Sequence, residues 1–250
     1  MDSIAPAAGP PVFLVAPGEL GSPALTLTGP EGHHAAAVRR LRTGERADVS
    51  DGAGTLAEGV VTAVGKDTVT IEIGSTRTVP PPRPRLIVAQ ALPKGDRGEL
   101  AVELMTEVGV DALVPWSAER SITRWQGERG ERALAKWRAT AREAAKQSRR
   151  AWLPEVTALA GTAALAARAA AARSSIVLEA DAQVRLQELA LPDEGDILLL
   201  VGPEGGTSPG ERAALRDAGA VEARLGPTVL RTSTAGAVAA TILLTRTGRW

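Results

Sequence analysis

LVGPEGGTSPGE at residues 200–211 and LGPTVLRTSTAG at residues 225–236 are the two stretches that decide the fold of this 250-residue chain. Each is a loop of small residues that leaves an apolar run and leads into a helix start. Glycines at such places let backbone approach a ligand closely, because they have no Cβ. Two such loops close together predict a narrow slot, lined mostly by backbone, that accepts a flat ligand.

The first of these loops follows DILLLV at residues 196–201, which has the length and composition of a strand buried on both faces of a parallel sheet. Ser208 before Pro209, with Glu211 three residues on, predicts a capped helix start. Three glycines precede this cap: Gly202, Gly205 and Gly206. An ordinary strand–turn–helix connection has the same glycine pattern, so the loop alone leaves both interpretations open.

The second loop follows VEARL at residues 221–225, and Gly226 with Pro227 is expected to turn the chain. Ser233 or Thr234 is expected to cap a helix that runs through AGAVAATILL at residues 235–244. Arg231 lies between these features. It is either a surface arginine that ties down the turn or a fixed fork of donors for a carbonyl or a phosphate.

Composition excludes several classes of protein. The chain has no cysteine, and therefore no disulfide framework, no thiolate nucleophile and no cysteine-ligated zinc. With only two histidines, we expect no metal site. The serine-hydrolase and P-loop motifs are absent. No apolar run reaches membrane-spanning length and the N-terminus does not resemble a signal peptide, so we expect a cytoplasmic protein that does not bind a membrane.

Positive charge is concentrated between residues 120 and 150, a segment that contains 10 basic and 3 acidic residues. On a helix over residues 128–150, the basic side chains would form a stripe opposite an apolar face. Its members are Arg138, Arg142, Lys146, Arg149 and Arg150. A solvated face usually mixes signs, so this stripe favours a surface that contacts the phosphates of a nucleic acid.

A linker rich in proline at residues 79–84 divides the chain into domains at residues 1–79 and 80–250. Before it, strand-like runs at residues 12–15, 47–50, 55–64 and 68–73, with one helix at residues 33–41, predict a small β-barrel. After it, strand-like runs alternate with helices, which predicts a parallel α/β domain. Those runs are residues 85–92, 112–115, 175–180, 196–201 and 221–225.

Five motifs occur together in a matching order. They are HHAAAVRRLRTGE (33–45), LPKGDRGELAVELMTEVGVDALVPWSAERS (92–121), EAAKQSRRAWLPEV (143–156), VGPEGG (201–206) and LGPTVLRTSTA (225–235). Together they resemble the ribosomal small subunit methyltransferase E (RsmE) family of the SPOUT methyltransferases. The resemblance implies a PUA-like β-barrel domain followed by a SPOUT α/β domain with a trefoil knot. It also implies a homodimer that binds S-adenosylmethionine and methylates N3 of one uridine in 16S rRNA of the small ribosomal subunit.

The resemblance also implies roles for particular residues. The cofactor would bind at Leu178, Glu179, Val201, Gly202, Pro203, Gly205, Leu225, Gly226, Val229 and Leu230. Glu179 would face the ribose hydroxyls, Arg231 would stabilise charge on the uracil oxygens, and Glu204 or solvent would accept the N3 proton. RNA would be held by His34, Arg39, Arg42, Lys94, Arg97, Arg120, Arg124, Arg138, Arg142, Arg149 and Arg150.

The chain departs from the family pattern at two positions, with Thr228 where the family usually has Arg and Ser233 where it usually has Glu. The missing glutamate removes a charge partner for Arg231 or for the substrate. Two alternatives also remain open: a SPOUT enzyme that acts on another RNA, and an RNA-binding or ribosome assembly factor without catalytic activity.

Overall fold

The computed structural model describes residues 9–250, which divide into two compact units. Among these residues, the first unit takes in those up to Pro81 together with Lys146–Leu153. The second comprises Pro82–Ala145 and Pro154–Trp250. Nothing in the sequence indicated that residues 146–153 join the first unit. Residues 1–8 of the predicted first domain lie outside the described residues.

The first unit contains a five-stranded sheet with strand order β1-β3-β4-β5-β2. Its elements are β1 (Val12–Leu14), β2 (Ala24–Leu27), α1 (Gly29–His33), β3 (Arg46–Ser50), β4 (Thr55–Val64) and β5 (Val69–Thr78). All its pairings are antiparallel except that of β1 with β3. Alternate side chains of β4, such as Ala57 and Val61, are buried in the core of this unit, as expected for a half-buried strand.

The predicted helix at residues 33–41 begins four residues too late. α1 starts at Gly29, with Pro30 in its first turn, and continues into a π-helical turn at His34–Val38. Proline is favoured at this position because the first turn of a helix needs no donor from it. Strand β2 was missed because it is only four residues long, although Leu25 and Leu27 pack into the core of this unit and alternate with the exposed Thr26.

The second unit is built on a six-stranded parallel sheet with strand order β11-β9-β10-β6-β7-β8. Its strands are β6 (Arg85–Ala91), β7 (Ala112–Trp116), β8 (Glu155–Val156), β9 (Ser174–Leu178), β10 (Asp196–Val201) and β11 (Val221–Ala223). Its helices are α2 (Arg97–Val108), α3 (Gly127–Gln147, whose last two residues are in the first unit), α4 (Thr162–Ala171), α5 (Pro209–Asp217) and α6 (Thr232–Arg246). The predicted parallel α/β architecture is therefore confirmed.

Both faces of this sheet are covered, as the apolar run of β10 predicts. Ile197, Leu199 and Val201 pack into the core that contains α2 and α6, whereas Leu198 and Leu200 pack into the core that contains α4 and α5. The middle strands are thus buried on both sides. This arrangement leaves the ends of the strands as the only edge where their loops can form a site.

Helix α6 packs closely on α2. A Cβ added at Gly236 would lie 2.7 Å from the Met105 sulfur, so a larger residue would have to displace the Met105 side chain. Within residues 9–250, no helix is both long and apolar enough to cross a membrane.

Candidate functional site

A cleft opens at the carboxyl ends of β9, β10 and β11. These strands are parallel and adjacent, so the loops that follow them meet at one edge of the sheet, where open α/β sheets bind ligands. The cleft has a volume of about 300 Å³. Its walls are the end of β9 and parts of the first loop (residues 202–208) and of the second loop (residues 224–231).

Positions 202 and 206 of the first loop are occupied by glycine for two different structural reasons. Gly206 has φ of +72°, and its amide donates to the Pro203 carbonyl (2.9 Å) in a tight turn that disfavours any other residue. Gly202 has ordinary backbone geometry, but a Cβ there would lie 2.8 Å from Thr207 Oγ1. The absence of both side chains brings the backbone of the first loop to the cleft surface.

The predicted cap at the end of the first loop is confirmed. Ser208 Oγ accepts from the Glu211 amide (3.3 Å), and Glu211 Oε2 accepts from the Ser208 amide (3.0 Å). The other oxygen of Glu211 accepts from the Glu119 amide and from Thr162 Oγ1, both at 2.8 Å. One buried carboxylate thus fixes the first loop to two other segments of the second unit.

The second loop is held at its beginning and exposed at its centre. The Arg224 amide donates to the Val184 carbonyl (2.9 Å), and the Arg224 guanidinium donates to the Ala182 carbonyl (2.7 Å). Further on, Val229 is 84% exposed. The prediction that Ser233 or Thr234 caps α6 is wrong: the helix begins at Thr232 after Arg231, and no side chain caps it.

Two buried oxygen atoms of cleft-lining residues have no hydrogen-bond partner among residues 9–250. They are Oε1 of Glu179, at the end of β9, and Oγ1 of Thr207, in the first loop. Burial raises the pKa of Glu179, and the Arg212 guanidinium acts in the opposite direction. Because a buried polar atom without a partner is costly, this pair is suited to bind the polar groups of a ligand.

The structure brings nearly all the predicted cofactor residues together in this cleft. Nine of them line it: Leu178, Glu179, Val201, Gly202, Pro203, Leu225, Gly226, Val229 and Leu230. Gly205 does not; its carbonyl accepts from the Arg120 guanidinium (3.2 Å) on the outside of the first loop. Thr207 is the main residue that the sequence did not single out, although its position between the glycines and the Ser208 cap could have indicated it.

The two predicted catalytic residues lie in different settings. Glu204 lines the cleft, is exposed, and accepts from the Lys94 amide (3.2 Å) with one carboxylate oxygen. Arg231 is exposed at the end of the second loop and does not line the cleft. Within residues 9–250, its guanidinium forms no hydrogen bond or ion pair, so the group is available to a substrate.

The predicted RNA-binding residues divide between the two units. Those of the second unit are Lys94, Arg97, Arg120, Arg124, Arg138 and Arg142, and all except the half-buried Arg97 are exposed. Of these, Lys94 and Arg120 bond to the first loop through Glu204 and Gly205. Arg124 donates to the carbonyls of Ala118 and Glu119, at 2.7 and 2.6 Å. The first loop is therefore flanked by positive charge.

The predicted basic stripe does not exist as one face. Helix α3 ends at Gln147, so Arg149 and Arg150 lie beyond it, and Arg149 has a φ of +57°. Lys146 is buried and pairs with Glu31 at 3.1 Å. Of the five predicted members of the stripe, only Arg138 and Arg142 are exposed on the helix.

The predicted RNA-binding residues of the first unit also include side chains that it uses internally. His34 Nδ1 lies 3.4 Å from Lys146 Nζ, and its ring contacts that of Phe13 edge to face. Arg149 lies 3.5 Å from an Asp48 carboxylate oxygen. Arg39 and Arg42 are exposed.

Comparison with known families defines the class of this protein. Residues 80–244 match the RNA methyltransferase domain family, and residues 27–74 match the RNA methyltransferase PUA domain family. The fold is therefore that of an RNA methyltransferase with an N-terminal PUA-like domain.

Individual relatives narrow the assignment. Ribosomal RNA small subunit methyltransferase E of Mycobacterium bovis is 48% identical over 226 residues, which cover 89% of this chain and 86% of that protein. The chain therefore belongs to the ribosomal RNA small subunit methyltransferase E family.

Two solved structures agree with this assignment. The family member from Neisseria gonorrhoeae, bound to S-adenosylmethionine, matches with a TM-score of 0.82 and 26% identity, over 95% of this chain and 98% of that one. A methyltransferase from Legionella pneumophila in complex with the same cofactor matches with a TM-score of 0.84 and 27% identity, over the same shares of the two chains.

Proposed function

We propose that this chain transfers the methyl group of S-adenosylmethionine to N3 of one uridine in 16S rRNA of the small ribosomal subunit. The observation that carries the proposal is the cleft between the first and second loops. Its backbone is open to a ligand, and two of its oxygen atoms are buried without partners. Ribosomal RNA is cytoplasmic, and we place the protein there.

The residues of the cleft fit S-adenosylmethionine. An adenine ring needs a flat slot with backbone donors and acceptors at its edge, which the first loop and the segment around Leu225 and Gly226 offer. Ribose hydroxyls need acceptors, and Glu179 Oε1 is a buried acceptor without a partner among residues 9–250. When bound, the cofactor supplies a methyl group that its sulfonium has already activated.

Two side chains, Arg231 and Glu204, are assigned to the deprotonation of uracil N3 and to the stabilisation of the resulting charge. N3 of uracil must lose its proton before it can attack. Arg231, which follows the cleft-lining Leu230, donates to the uracil oxygens on which negative charge then develops, a form of electrostatic stabilisation. Glu204 accepts the N3 proton with its second carboxylate oxygen, which forms no hydrogen bond within residues 9–250.

The target uridine must leave its helix or already be unpaired, because N3 is engaged in Watson–Crick pairing. Lys94, Arg97, Arg120 and Arg124 hold the RNA backbone around the first loop, and Arg138 and Arg142 extend this contact along α3. His34, Arg39, Arg42, Arg149 and Arg150 form the contact from the first unit.

We also propose that the second unit is knotted. Strand β11 pairs with β9, and on its other side the Leu186 amide donates to the Arg224 carbonyl (2.9 Å), so the chain after β9 closes around the start of the second loop. Helix α6 then packs on the sheet beside α2. If the chain is knotted, stretching it from its ends in an optical trap will leave it shorter than its full contour length.

A homodimer is the third part of the proposal. Val229, which lines the cleft, and Val238 on α6 are exposed apolar side chains, and a second copy of this chain would cover them. Sedimentation of the purified protein should give twice the mass of the chain. A monomer at micromolar concentration would contradict this part alone.

The methyl transfer is tested with small ribosomal subunits from a strain that lacks this gene. The protein and radioactive S-adenosylmethionine should label 16S rRNA, and reverse transcription should stop at a single new uridine, because N3 methylation blocks pairing. Label in tRNA or 23S rRNA instead would assign the chain to another substrate. Absence of label together with RNA binding would indicate an assembly factor.

Placement of the cofactor is tested by calorimetric titration with S-adenosylmethionine. Gly202→Trp fills the cleft and should abolish detectable binding, since even a Cβ meets Thr207 there. Gly210→Trp is the matched control, because Gly210 is exposed and has open space around it. Equal affinities of the two variants would place the cofactor elsewhere. No binding by the wild type, with or without RNA, would remove the enzyme proposal.

A further inference from the structure

Three carboxylates and two guanidinium groups meet behind the cleft, and one arginine contacts all three acids. Arg212, in the first turn of α5, donates to Glu222 from Nε at 3.0 Å and to Asp181 at 3.2 Å. The same guanidinium lies 4.0 Å from Oε2 of Glu179. Arg216, one turn further on, reaches only Glu222, at 2.9 Å.

The two carboxylate oxygens of Glu179 have different surroundings. Oε2 faces Arg212, whereas Oε1 is buried without a partner among residues 9–250 and belongs to a residue that lines the cleft. Glu222, on β11, holds the guanidinium with two hydrogen bonds. Such a two-point contact fixes the plane of an arginine as well as its charge. Arg212 can therefore orient Glu179 without touching the ligand.

We propose that Arg212 is a positioning residue for the cofactor, which holds Glu179 ionised and leaves one of its oxygens free for the ribose hydroxyls of S-adenosylmethionine. This inference rests on the proposed function. It adds that a residue outside the cleft favours the charged form of Glu179, so that removal of Arg212 should change how cofactor affinity depends on pH.

The charged groups around Glu179 explain the direction of the effect. Burial raises the pKa of Glu179, and so do the carboxylates of Asp181 and Glu222, whereas the Arg212 guanidinium lowers it. Without the guanidinium, Glu179 would face only like charges, and it would take up a proton closer to neutral pH. The protonated acid is a weaker acceptor for a hydroxyl, so affinity should fall as the pH decreases, and at a higher pH in the variant.

The experiment is calorimetric titration of the full chain with S-adenosylmethionine between about pH 5 and pH 9, the range in which such a shift is visible. Arg212→Met should bind about tenfold more weakly at pH 7, the effect typical of losing an outer partner of a ligand-binding group. Its affinity should also begin to fall at a higher pH than that of the wild type. Arg216→Met is the matched control, since it removes the same charge from the same helix and contacts Glu222 only; its pH profile should follow the wild type.

Two more variants separate positioning from folding. Arg212→Lys keeps a cation near Glu179 and should restore most of the wild-type pH profile, even if the helix is somewhat less stable. Glu179→Gln cannot be protonated, so its profile should be flat, and adding Arg212→Met to it should cause little further loss.

The outcomes are distinguishable. Coinciding pH profiles for Arg212→Met and Arg216→Met would overturn the inference while leaving the proposed function intact. Additive losses in the double variant would also overturn it, because they would show that Arg212 acts independently of Glu179. If the wild type itself fails to bind S-adenosylmethionine, the proposed function fails first.

Discussion

The first and second loops form opposite walls of one cleft, but they are held in different ways. The first loop ends in a reciprocal cap, and a buried carboxylate ties it to two distant segments. The second loop is anchored only where it begins, and its residues from Pro227 to Arg231 are exposed. One wall is thus formed before any ligand arrives. The other presents its side chains outward, where an RNA substrate can contact them.

This difference assigns separate roles to the two loops. Apart from Glu204, the proposed proton acceptor, changes in the first loop should mainly affect stability and cofactor binding, because the cap at its end is already hydrogen-bonded inside the protein. Changes in the second loop should mainly affect the reaction, because the guanidinium of Arg231 has no partner within residues 9–250. Each of the following variants tests one side of this comparison.

Glu211→Ala should produce the largest loss of stability. It leaves the amides of Ser208 and Glu119 and the Thr162 hydroxyl without their acceptor, and should lower the free energy of unfolding by roughly 4 kcal/mol. Chemical denaturation measures this value. Glu204→Ala is the control in the same loop: it removes one exposed hydrogen bond and should change stability by less than about 0.5 kcal/mol. Similar losses for both would show that the first loop is not anchored by Glu211.

Arg231→Ala should have the opposite effect. Its melting temperature should equal that of the wild type, whereas kcat for methyl transfer to the small subunit should fall by about 10²–10³-fold, the usual effect of losing one donor to a developing oxyanion. Arg231→Lys should recover part of the rate, since it keeps the charge but not the fork. An unchanged kcat would exclude Arg231 from the reaction.

The first loop was readable from the sequence because its determinants are local. The apolar run of β10, the turn at Gly206 and the cap at Ser208 lie within 16 consecutive residues, and each follows from backbone sterics or a contact three residues away. The start of α6 was not readable in this way. Ser233, one of the two predicted caps, is buried, so tertiary packing uses a side chain that the sequence offered as a cap.

The predicted basic stripe shows that the exposure of a charged side chain is also difficult to predict from the local sequence. Helical periodicity placed Lys146 beside Arg142 on a solvated face, but Lys146 is buried against Glu31, which is 115 residues away in the sequence. The carboxylate that neutralises a lysine cannot be identified from the spacing of the lysine itself. For the same reason, Arg212 drew no attention in the sequence, since its three partners come from other elements.

Glu222→Gln tests the connection between α5, which follows the first loop, and β11, which precedes the second. Hydrogen bonds from Arg212 lower the pKa of Glu222 to about 2 from its ordinary value of 4.5. Because the pKa of Glu222 is lower in the folded protein than in the unfolded chain, the charged carboxylate stabilises the fold at pH values above about 4.5. This stability is lost as the pH falls from about 4.5 towards 2, and linkage puts it on the order of 3 kcal/mol.

The variant should therefore be less stable than the wild type at pH 7, and the difference should shrink on acidification through that window. Denaturation curves at several pH values measure it. Glu194→Gln is the control, because Glu194 is exposed and forms no hydrogen bond within residues 9–250. A difference that does not depend on pH would mean that the pair with Arg212 is not what holds β11 to α5.

The smallest effect compares the two helix starts directly. Ser208→Ala removes the side-chain cap of α5 and should lower the free energy of unfolding by about 1 kcal/mol. Thr234→Ala removes a hydroxyl that donates to the Arg231 carbonyl (3.1 Å) but caps no amide, so its effect should stay below about 0.5 kcal/mol. Equal losses of unfolding free energy in the two variants would mean that the second loop is held as firmly before ligand binding as the first loop is.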